Sequence, residues 1–281
     1  MADAAWHFTH APEPRRLDAL SAVLVHFSLQ IRRLLRFRVL GVWLFVSAAV
    51  VLGGFGLTRL SLSDPGVMVK WFGQFVLRAE GLTALGLATA AIRVDADAGV
   101  LGLFLLRPRA PTALPLGRWL AATVLTGALG LLLWLGTVLA VQGTVLLMPS
   151  AQLARMAWTT MLAAPAYCAI FLAFSCWFRN AAAVSLGWFT LADLLSPMGS
   201  DWLARFSPAH HLNLLVLGAY PSASGLSKMV KDLAQMPQNT VADPLTPWIL
   251  PIESGWLLAL TAVALVLAVV RLRREVPAGT N

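Results

Sequence analysis

Charged side chains are scarce in this chain. Only 12% of its 281 residues are Asp, Glu, Lys or Arg, half of the ~25% that is usual in soluble domains. Hydrophobic residues make up 58%, and the mean hydropathy is +0.75. A soluble protein of 30.2 kDa cannot hide this much apolar surface, because its surface-to-volume ratio leaves too much of it in water. The composition therefore excludes a soluble globular domain and a disordered chain, and it favours lipid as the solvent.

Cysteine is nearly absent, and the two that occur lie in one apolar run. Cys168 and Cys176 are eight positions apart, which on a helix is roughly 12 Å and too far for a disulfide. We interpret both as small buried apolar residues. The redox compartment is therefore not readable from cysteine usage.

The sequence also lacks the common catalytic and ligand-binding motifs. It contains no GxxxxGK[ST] loop, no HExxH pair and no metal-spaced Cys/His cluster. His210 and His211 are adjacent, so on a helix they point about 100° apart and cannot easily share one metal. We therefore expect this chain to contain no catalytic residue, no metal site and no cofactor of its own.

Six continuous apolar runs occupy most of the chain. A transmembrane helix needs ~20 apolar residues, and runs that are continuous rather than alternating favour helices over barrel strands. The runs are Val39–Leu57, Phe72–Ile92, Trp119–Val141, Leu153–Phe178, Ala181–Gly199 and Ile252–Val270. We predict an all-α integral membrane protein with six transmembrane helices, formed by residues 17–271.

Basic residues predict the orientation of these helices. The net charge is +8, but the basic residues lie at the ends of apolar runs, so membrane orientation explains them better than nucleic-acid binding does. Most of the 21 Lys and Arg residues fall on the cytoplasmic side if both termini are placed there. We therefore predict a multi-pass protein of the cell inner membrane, with residues 1–16 as a disordered cytoplasmic tail and residues 272–281 as a second cytoplasmic tail.

Two segments outside the apolar runs have their own character. Residues 17–37 place an apolar stripe on one side of a helix (Leu20, Leu24, Phe27, Ile31 and Leu34) and polar residues on the other (Asp18, Ser21, Gln30, Arg32, Arg33 and Arg36). This pattern predicts an interfacial amphipathic helix, and the alternative is the wet end of the first span. Residues 201–251 form a proline-rich extracytoplasmic segment, in which Leu212–Leu217 is too short to span and predicts a re-entrant or surface-lying helix.

A few charged residues fall inside or beside the predicted spans. Lys70, Gln74 and Arg78 share one helix face at the start of the second span, and Glu80 lies on a different face. A charge at mid-bilayer costs ~2.5–3.5 kcal/mol, so these residues lie either in the outer headgroup layer or along a wet pathway. Asp193 in the fifth span either lines such a pathway or caps a local break near Pro197.

One loop carries the strongest family signal. The segment 92–122, with the sequence IRVDADAGVLGLFLLRPRAPTALPLGRWLAA, resembles the signature of ABC-2 type permeases, the membrane subunits of one class of ABC exporter. The matching residues are Asp95, Asp97, Gly99, Leu101, Arg107, Pro108, Gly117 and Arg118, while Val100 stands where the family usually has Thr. The segment 206–215, FSPAHHLNLL, is also similar to a Ser-Pro-x-x-His stretch in the branch that serves gliding motility and copper/nitrous-oxide maturation.

The resemblance implies a transport role without catalysis in this chain. It implies that loop 93–117 contains a cytoplasmic coupling helix, in which Leu101 and Phe104 contact an ATPase subunit. It also implies that the other motif residues of this region couple to the ATPase, namely Asp95, Asp97, Gly99, Arg107, Pro108 and Arg118. It further implies two ATPase copies that hold ATP and Mg, a second permease chain that is identical or a paralogue, and an extracytoplasmic accessory protein. From the residues alone, the apolar helix between Asp97 and Arg107 either docks in a groove on a partner protein or lies with its apolar side in the lipid headgroup layer.

Two rival functions remain open from the sequence. One is a membrane-embedded interaction or signalling protein without transport, which would have no ATPase partner. The other is a membrane enzyme acting on lipids, for which the only available groups are Asp193, Asp201, His210 and His211. The cargo of a transporter is not readable from the sequence.

Overall fold

The computed structural model describes residues 19–35, scattered residues between 41 and 56, and residues 72–105, 110–140, 150–194, 206–217 and 249–275. These ranges are helical and contain no strand. The α-helices are α1 (Ala19–Leu34), α2 (Leu77–Asp97), α3 (Leu101–Leu105), α4 (Ala110–Ala140), α5 (Ser150–Trp177), α6 (Ala181–Trp188), α7 (Pro208–Leu217) and α8 (Ile249–Glu275). Short π-helical segments, Phe72–Val76 and Phe189–Leu194, precede α2 and follow α6.

Three helices are long and apolar enough to cross a membrane. They are Pro111–Leu139, Ser150–Trp177 and Pro251–Arg274, with mean hydropathies of 1.9, 1.6 and 2.2. They correspond to the predicted third, fourth and sixth spans, so the structure agrees with an all-α, multi-pass membrane protein.

Within the described residues, the other predicted spans do not form helices that are long and apolar enough to cross a membrane. The second is helical, but α2 contains five charged side chains (Arg78, Glu80, Arg93, Asp95 and Asp97). The described part of the fifth is α6 and its π-helical extension, which is short. Much of the first, Val39–Leu57, lies outside the described residues. The count of six spans therefore stays a prediction.

Helix α5 is the centre of the bundle. In its most apolar stretch 83% of the residues are buried, against 44% in α4 and 28% in α8, because α2, α4, α7 and α8 all pack around it. Its sequence is apolar on every side, as expected for a fully enclosed helix. Alanines let neighbouring helices approach closely, and Tyr167 and Phe171 fill the centre of the core. Cys168 and Cys176 are both buried here and are not joined in a disulfide, which confirms their interpretation as small buried apolar residues.

Side-chain contacts define two ends of the bundle. The indole of Trp177 at the C-terminus of α5 donates to the carbonyl of Leu267 in α8 at 3.2 Å. At the same end, the ion pair between Asp95 and Arg118 joins the C-terminus of α2 to the start of α4. We call the end of the bundle that contains these contacts the α3 end. At the opposite, α7 end, Gln152 of α5 donates to the Val216 carbonyl in α7 at 2.8 Å.

Helix α1 packs along the first part of α4, and its faces differ from the predicted ones. A Cβ added at Gly117 would lie 2.5 Å from the Val23 carbonyl oxygen and 2.7 Å from the His26 Cβ, so only glycine allows this approach. Gln30 is buried and Arg33 is tied to α2, although both were predicted on the solvated face. The contact with α4 turns that face inward and leaves Leu20 and Leu24 exposed.

Candidate functional site

A charged junction joins three helices at the α3 end. Asp95 of α2 is only 1% exposed, and its Oδ1 accepts a hydrogen bond from Arg33 Nη1 of α1 at 2.5 Å. Its second oxygen, Oδ2, accepts from Arg118 Nη2 of α4. Arg118 Nη1 also donates to the Ala91 carbonyl of α2. We call Arg33, Asp95 and Arg118 the charged junction, and one carboxylate therefore connects α1, α2 and α4.

The two arginines of the charged junction offset the unfavourable position of the Asp95 carboxylate. Asp95 lies in the last turn of α2, where the helix dipole disfavours a carboxylate, and where burial would make an unpaired charge costly. Two guanidinium groups offset both effects. Because they carry two positive charges against one negative charge, the junction keeps a net positive charge.

The end of α2 is a Schellman turn built on Gly99. The Gly99 N–H donates to the Ala96 carbonyl at 3.1 Å, and the Val100 N–H donates to the Asp95 carbonyl at 3.0 Å. This 5→2 and 6→1 pair of bonds requires a left-handed residue between them, and Gly99 has φ +69°. Glycine takes this conformation without strain. The turn redirects the chain immediately into α3, so α3 is attached to α2 by a short, hydrogen-bonded connection.

Helix α3 is apolar on both its inner and its outer side. Leu101 (9% exposed) and Leu105 are buried in the core of the chain, whereas Leu103 is 67% exposed. Phe104 lies between these faces, with the Arg118 guanidinium 5.7 Å from its ring centroid and the His26 ring at 6.0 Å. The sequence named Leu101 and Phe104 as partner contacts. In the structure Leu103 is the leucine of α3 that faces outward, because Leu101 is used internally.

The two acidic residues of the loop motif have different environments. Asp97 is 61% exposed and pairs with Arg93 one turn earlier, at 2.8 Å. An exposed pair of this kind contributes little to stability, so Asp97 is accessible, unlike Asp95. Arg107 and Pro108, also named from the motif, lie outside the described residues.

At the α7 end a buried carboxylate braces the break after α6. Asp193, in the π-helical segment, accepts a hydrogen bond from the Ser207 hydroxyl. Ser207 Oγ in turn accepts from the His210 N–H at 3.3 Å, which is the N-cap arrangement for α7, with Pro208 in the first helical position. Arg78 donates to the Asp193 carbonyl at 3.2 Å. Asp193 therefore holds the α2, α6 and α7 ends together.

Glu80 is buried inside the helix bundle. Its side chain is buried between α2, α4 and α5, and a Cβ at Gly130 would come within 2.7 Å of its carboxyl carbon and Oε1. Neither carboxyl oxygen has a hydrogen-bond partner in the part of the chain that the structure describes. Lys70, grouped with Arg78 from the sequence, is outside the described residues. Of the residues named for a pathway, Arg78 and Asp193 are therefore in contact, whereas Glu80 makes no hydrogen bond to either of them.

The adjacent histidines have separate roles. His211 Nδ1 lies 2.5 Å from Glu253 Oε2 of α8, and its ring stacks on Trp256. The His210 ring stands at 82° to the His211 ring. Among the described residues, no group of three or more His, Cys, Asp or Glu side chains is arranged to hold a metal ion.

Sequence reasoning missed Arg33 as a member of the junction and Glu253 as the partner of His211. The sequence offers only a weak local signal for each: Glu253 is an acid at the start of an apolar run, and Arg33 directly follows another arginine. Their partners are 62 and 42 positions away, so no local pattern connects them.

Comparison with models of known protein families gives no match for this chain, and comparison with curated proteins gives none. Function is therefore inferred from the geometry of the junction, α3 and the buried polar groups.

Proposed function

We propose that this chain is the permease subunit of an ABC transporter of the ABC-2 type, which couples ATP hydrolysis on a separate ATPase subunit to export across the inner membrane. Two ATPase subunits, which hold ATP and Mg, and a second permease chain complete the proposed assembly. Both termini lie in the cytoplasm in this proposal, and an accessory protein contacts the extracytoplasmic side.

The observation that carries the proposal is the attachment of α3. This helix projects Leu103 outward, while Leu101 and Leu105 anchor it in the core. The Gly99 turn joins it directly to α2, and the Arg118 guanidinium lies over its Phe104 ring. A partner that moves α3 therefore moves α2 and α4 with it.

The outer side of α3 suits a protein groove. An exposed leucine on a short helix needs cover from an apolar partner surface, as in helix-in-groove recognition. Arg93 and Asp97 flank it as an exposed ion pair and offer polar contacts at the rim of such a groove. This supports a docking role for Leu103 and Asp97, and a bracing role for Asp95 and Arg118.

The proposed motion is a tilt of α2 and α4 driven by closure of the ATPase subunits. The charged junction ties both helices and α1 at one end, so they respond as a unit rather than separately. Shear and rigid-body shifts of packed helices are common in such transitions. Arg78, Glu80 and Asp193 lie toward the other half of α2, and with Lys70 they are the proposed polar residues of the substrate pathway.

The proposal is tested by affinity purification of the tagged full chain from its native membranes. We expect an ATPase with a GxxxxGK[ST] motif to co-purify, and Leu103→Asp to reduce its yield at least tenfold. Leu103→Met and Leu20→Asp, the latter an equally exposed leucine on α1, should retain it. Purification without any ATPase would overturn the proposal and favour an interaction or signalling protein.

A further inference from the structure

A small cleft opens between α1, α3 and α4 beside the charged junction. It has a volume of about 100 Å³, enough for a group of several heavy atoms rather than one water molecule. Its lining consists of His26, Leu29, Gln30, Arg33, Phe104 and Arg118. The polar lining side chains are all able to donate hydrogen bonds, and none of them is a carboxylate.

The charge of this cleft favours an anion. Arg33 and Arg118 reach it from two helices, and Asp95, which pairs with both, neutralises only one of the two positive charges. The Arg33 side chain stays 40% exposed after pairing. A guanidinium has five N–H donors in a planar fork that suits phosphate.

Apolar surface beside the cleft distinguishes a lipid from a free ion. Leu29 lines the cleft and is itself exposed, as are Leu24 and Val25 on the same helix. A free phosphate ion has no apolar surface to pack against these side chains, whereas acyl chains lying along α1 would cover them. Basic pockets between helices at a membrane surface are suited to anionic headgroups.

We infer that this cleft binds the phosphate headgroup of an anionic phospholipid, held by Arg33 and Arg118 with its acyl chains along Leu24, Val25 and Leu29. The lipid then lies between α1, α3 and α4 and stabilises the arrangement of the junction. This inference does not depend on an ATPase partner, so it stands or falls separately from the proposed function.

The test measures lipid binding to the purified full chain in detergent by native mass spectrometry. The probes are phosphatidylglycerol, phosphatidylcholine and inorganic phosphate. We expect phosphatidylglycerol to bind at least tenfold more tightly than phosphatidylcholine, and millimolar inorganic phosphate not to displace it. Equal binding of both lipids, or displacement by inorganic phosphate, would overturn the assignment to an anionic lipid.

Two variants locate the site. Gln30→Glu keeps the side-chain size but puts a carboxylate in the cleft, and Arg33→Gln removes one guanidinium; each should weaken phosphatidylglycerol binding about tenfold or more, the loss expected from one charge-assisted contact. Arg32→Gln removes the same charge from the adjacent, exposed position and should leave binding within about twofold. Thermal unfolding without lipid is measured first to verify that each variant is folded. An equal loss in Arg32→Gln, or no loss in the two cleft variants, would contradict the site.

Discussion

Arg118 of α4 and Asp95 of α2 form an ion pair that is almost completely enclosed, with side chains 4% and 1% exposed. The Arg118 guanidinium also donates to the Ala91 carbonyl one turn earlier in α2. Asp95 further accepts from Arg33 of α1. The carboxylate of Asp95, which the resemblance assigns to ATPase coupling, therefore makes its contacts inside the chain and joins three helices.

The first prediction concerns this fastening. Asp95→Asn should lower the free energy of unfolding by about 3–5 kcal/mol, because it leaves the buried Arg118 charge without a counter-ion. The measurement is denaturant or thermal unfolding of the full chain in detergent. The matched control is Asp97→Asn, two positions away, which should cost less than about 0.5 kcal/mol since its pair is exposed. Equal losses would contradict the assigned difference between the two acids.

A second prediction tests the close approach of α1 to α4. Gly117→Ala should destabilise the chain by about 1–3 kcal/mol, because the new Cβ would press on the Val23 carbonyl and the His26 Cβ. Limited proteolysis should then release α1 faster, and unfolding should occur at a lower temperature. Gly86→Ala, in open space on α2, should be neutral or stabilising by up to about 1 kcal/mol. Unchanged protection of α1 in Gly117→Ala would show that the two helices do not pack as described.

The turn between α2 and α3 gives a third prediction. Gly99→Ala should cost about 1–2 kcal/mol of unfolding free energy, since a Cβ disfavours the left-handed conformation that this residue adopts. Gly102→Ala, in α3 with open space around it, should not be destabilising. Unfolding in detergent measures both variants. A larger loss at position 102 than at position 99 would be inconsistent with the Schellman turn.

The fourth prediction concerns the space around Glu80. Gly130→Ala should destabilise the chain by about 1–3 kcal/mol, because its Cβ would come within 2.7 Å of the Glu80 carboxyl group and 3.0 Å of the Thr160 methyl group. Gly127→Ala lies one turn away and meets only Ala164 at an ordinary 3.6 Å, so it should be tolerated. Unfolding temperatures of the two variants compare them directly. If shortening Glu80 to Ala does not relieve the Gly130→Ala defect, the carboxyl group does not occupy this space.

The long apolar runs were the most predictable part of the fold. Residues 111–139, 150–177 and 251–274 are helices long and apolar enough to span, as their composition predicted, because in lipid the backbone must satisfy itself locally. The second run was harder to judge, since Arg78, Glu80 and Asp95 on α2 are paired or buried by residues far away in sequence. Helix α7 was anticipated as a short helix, but its capping by Ser207 and the link to Asp193 depend on tertiary contacts.

The sequence does not distinguish the separate environments of the residues in the candidate site. Asp95 and Asp97 are identical in type and two positions apart, so only the rotation of α2 and the arrival of Arg118 decide which one is buried. The same holds for Leu101 and Leu103 on α3, and for Gln30 and Arg33 on α1. An amphipathic pattern identifies the apolar face of a helix. Which of its residues are buried depends on the element that packs against the helix, and the pattern does not identify that element.

The most direct test of the central claim is photo-crosslinking from position 103 in native membranes. A photoreactive amino acid replaces Leu103, and a second variant carries it at Val266, an equally exposed position on α8. We predict that position 103 captures a protein with a GxxxxGK[ST] nucleotide-binding motif, while position 266 captures lipid. Capture of lipid alone at position 103, or of a protein without a nucleotide site, would contradict the account of this chain as the driven subunit of an ATP-powered transporter.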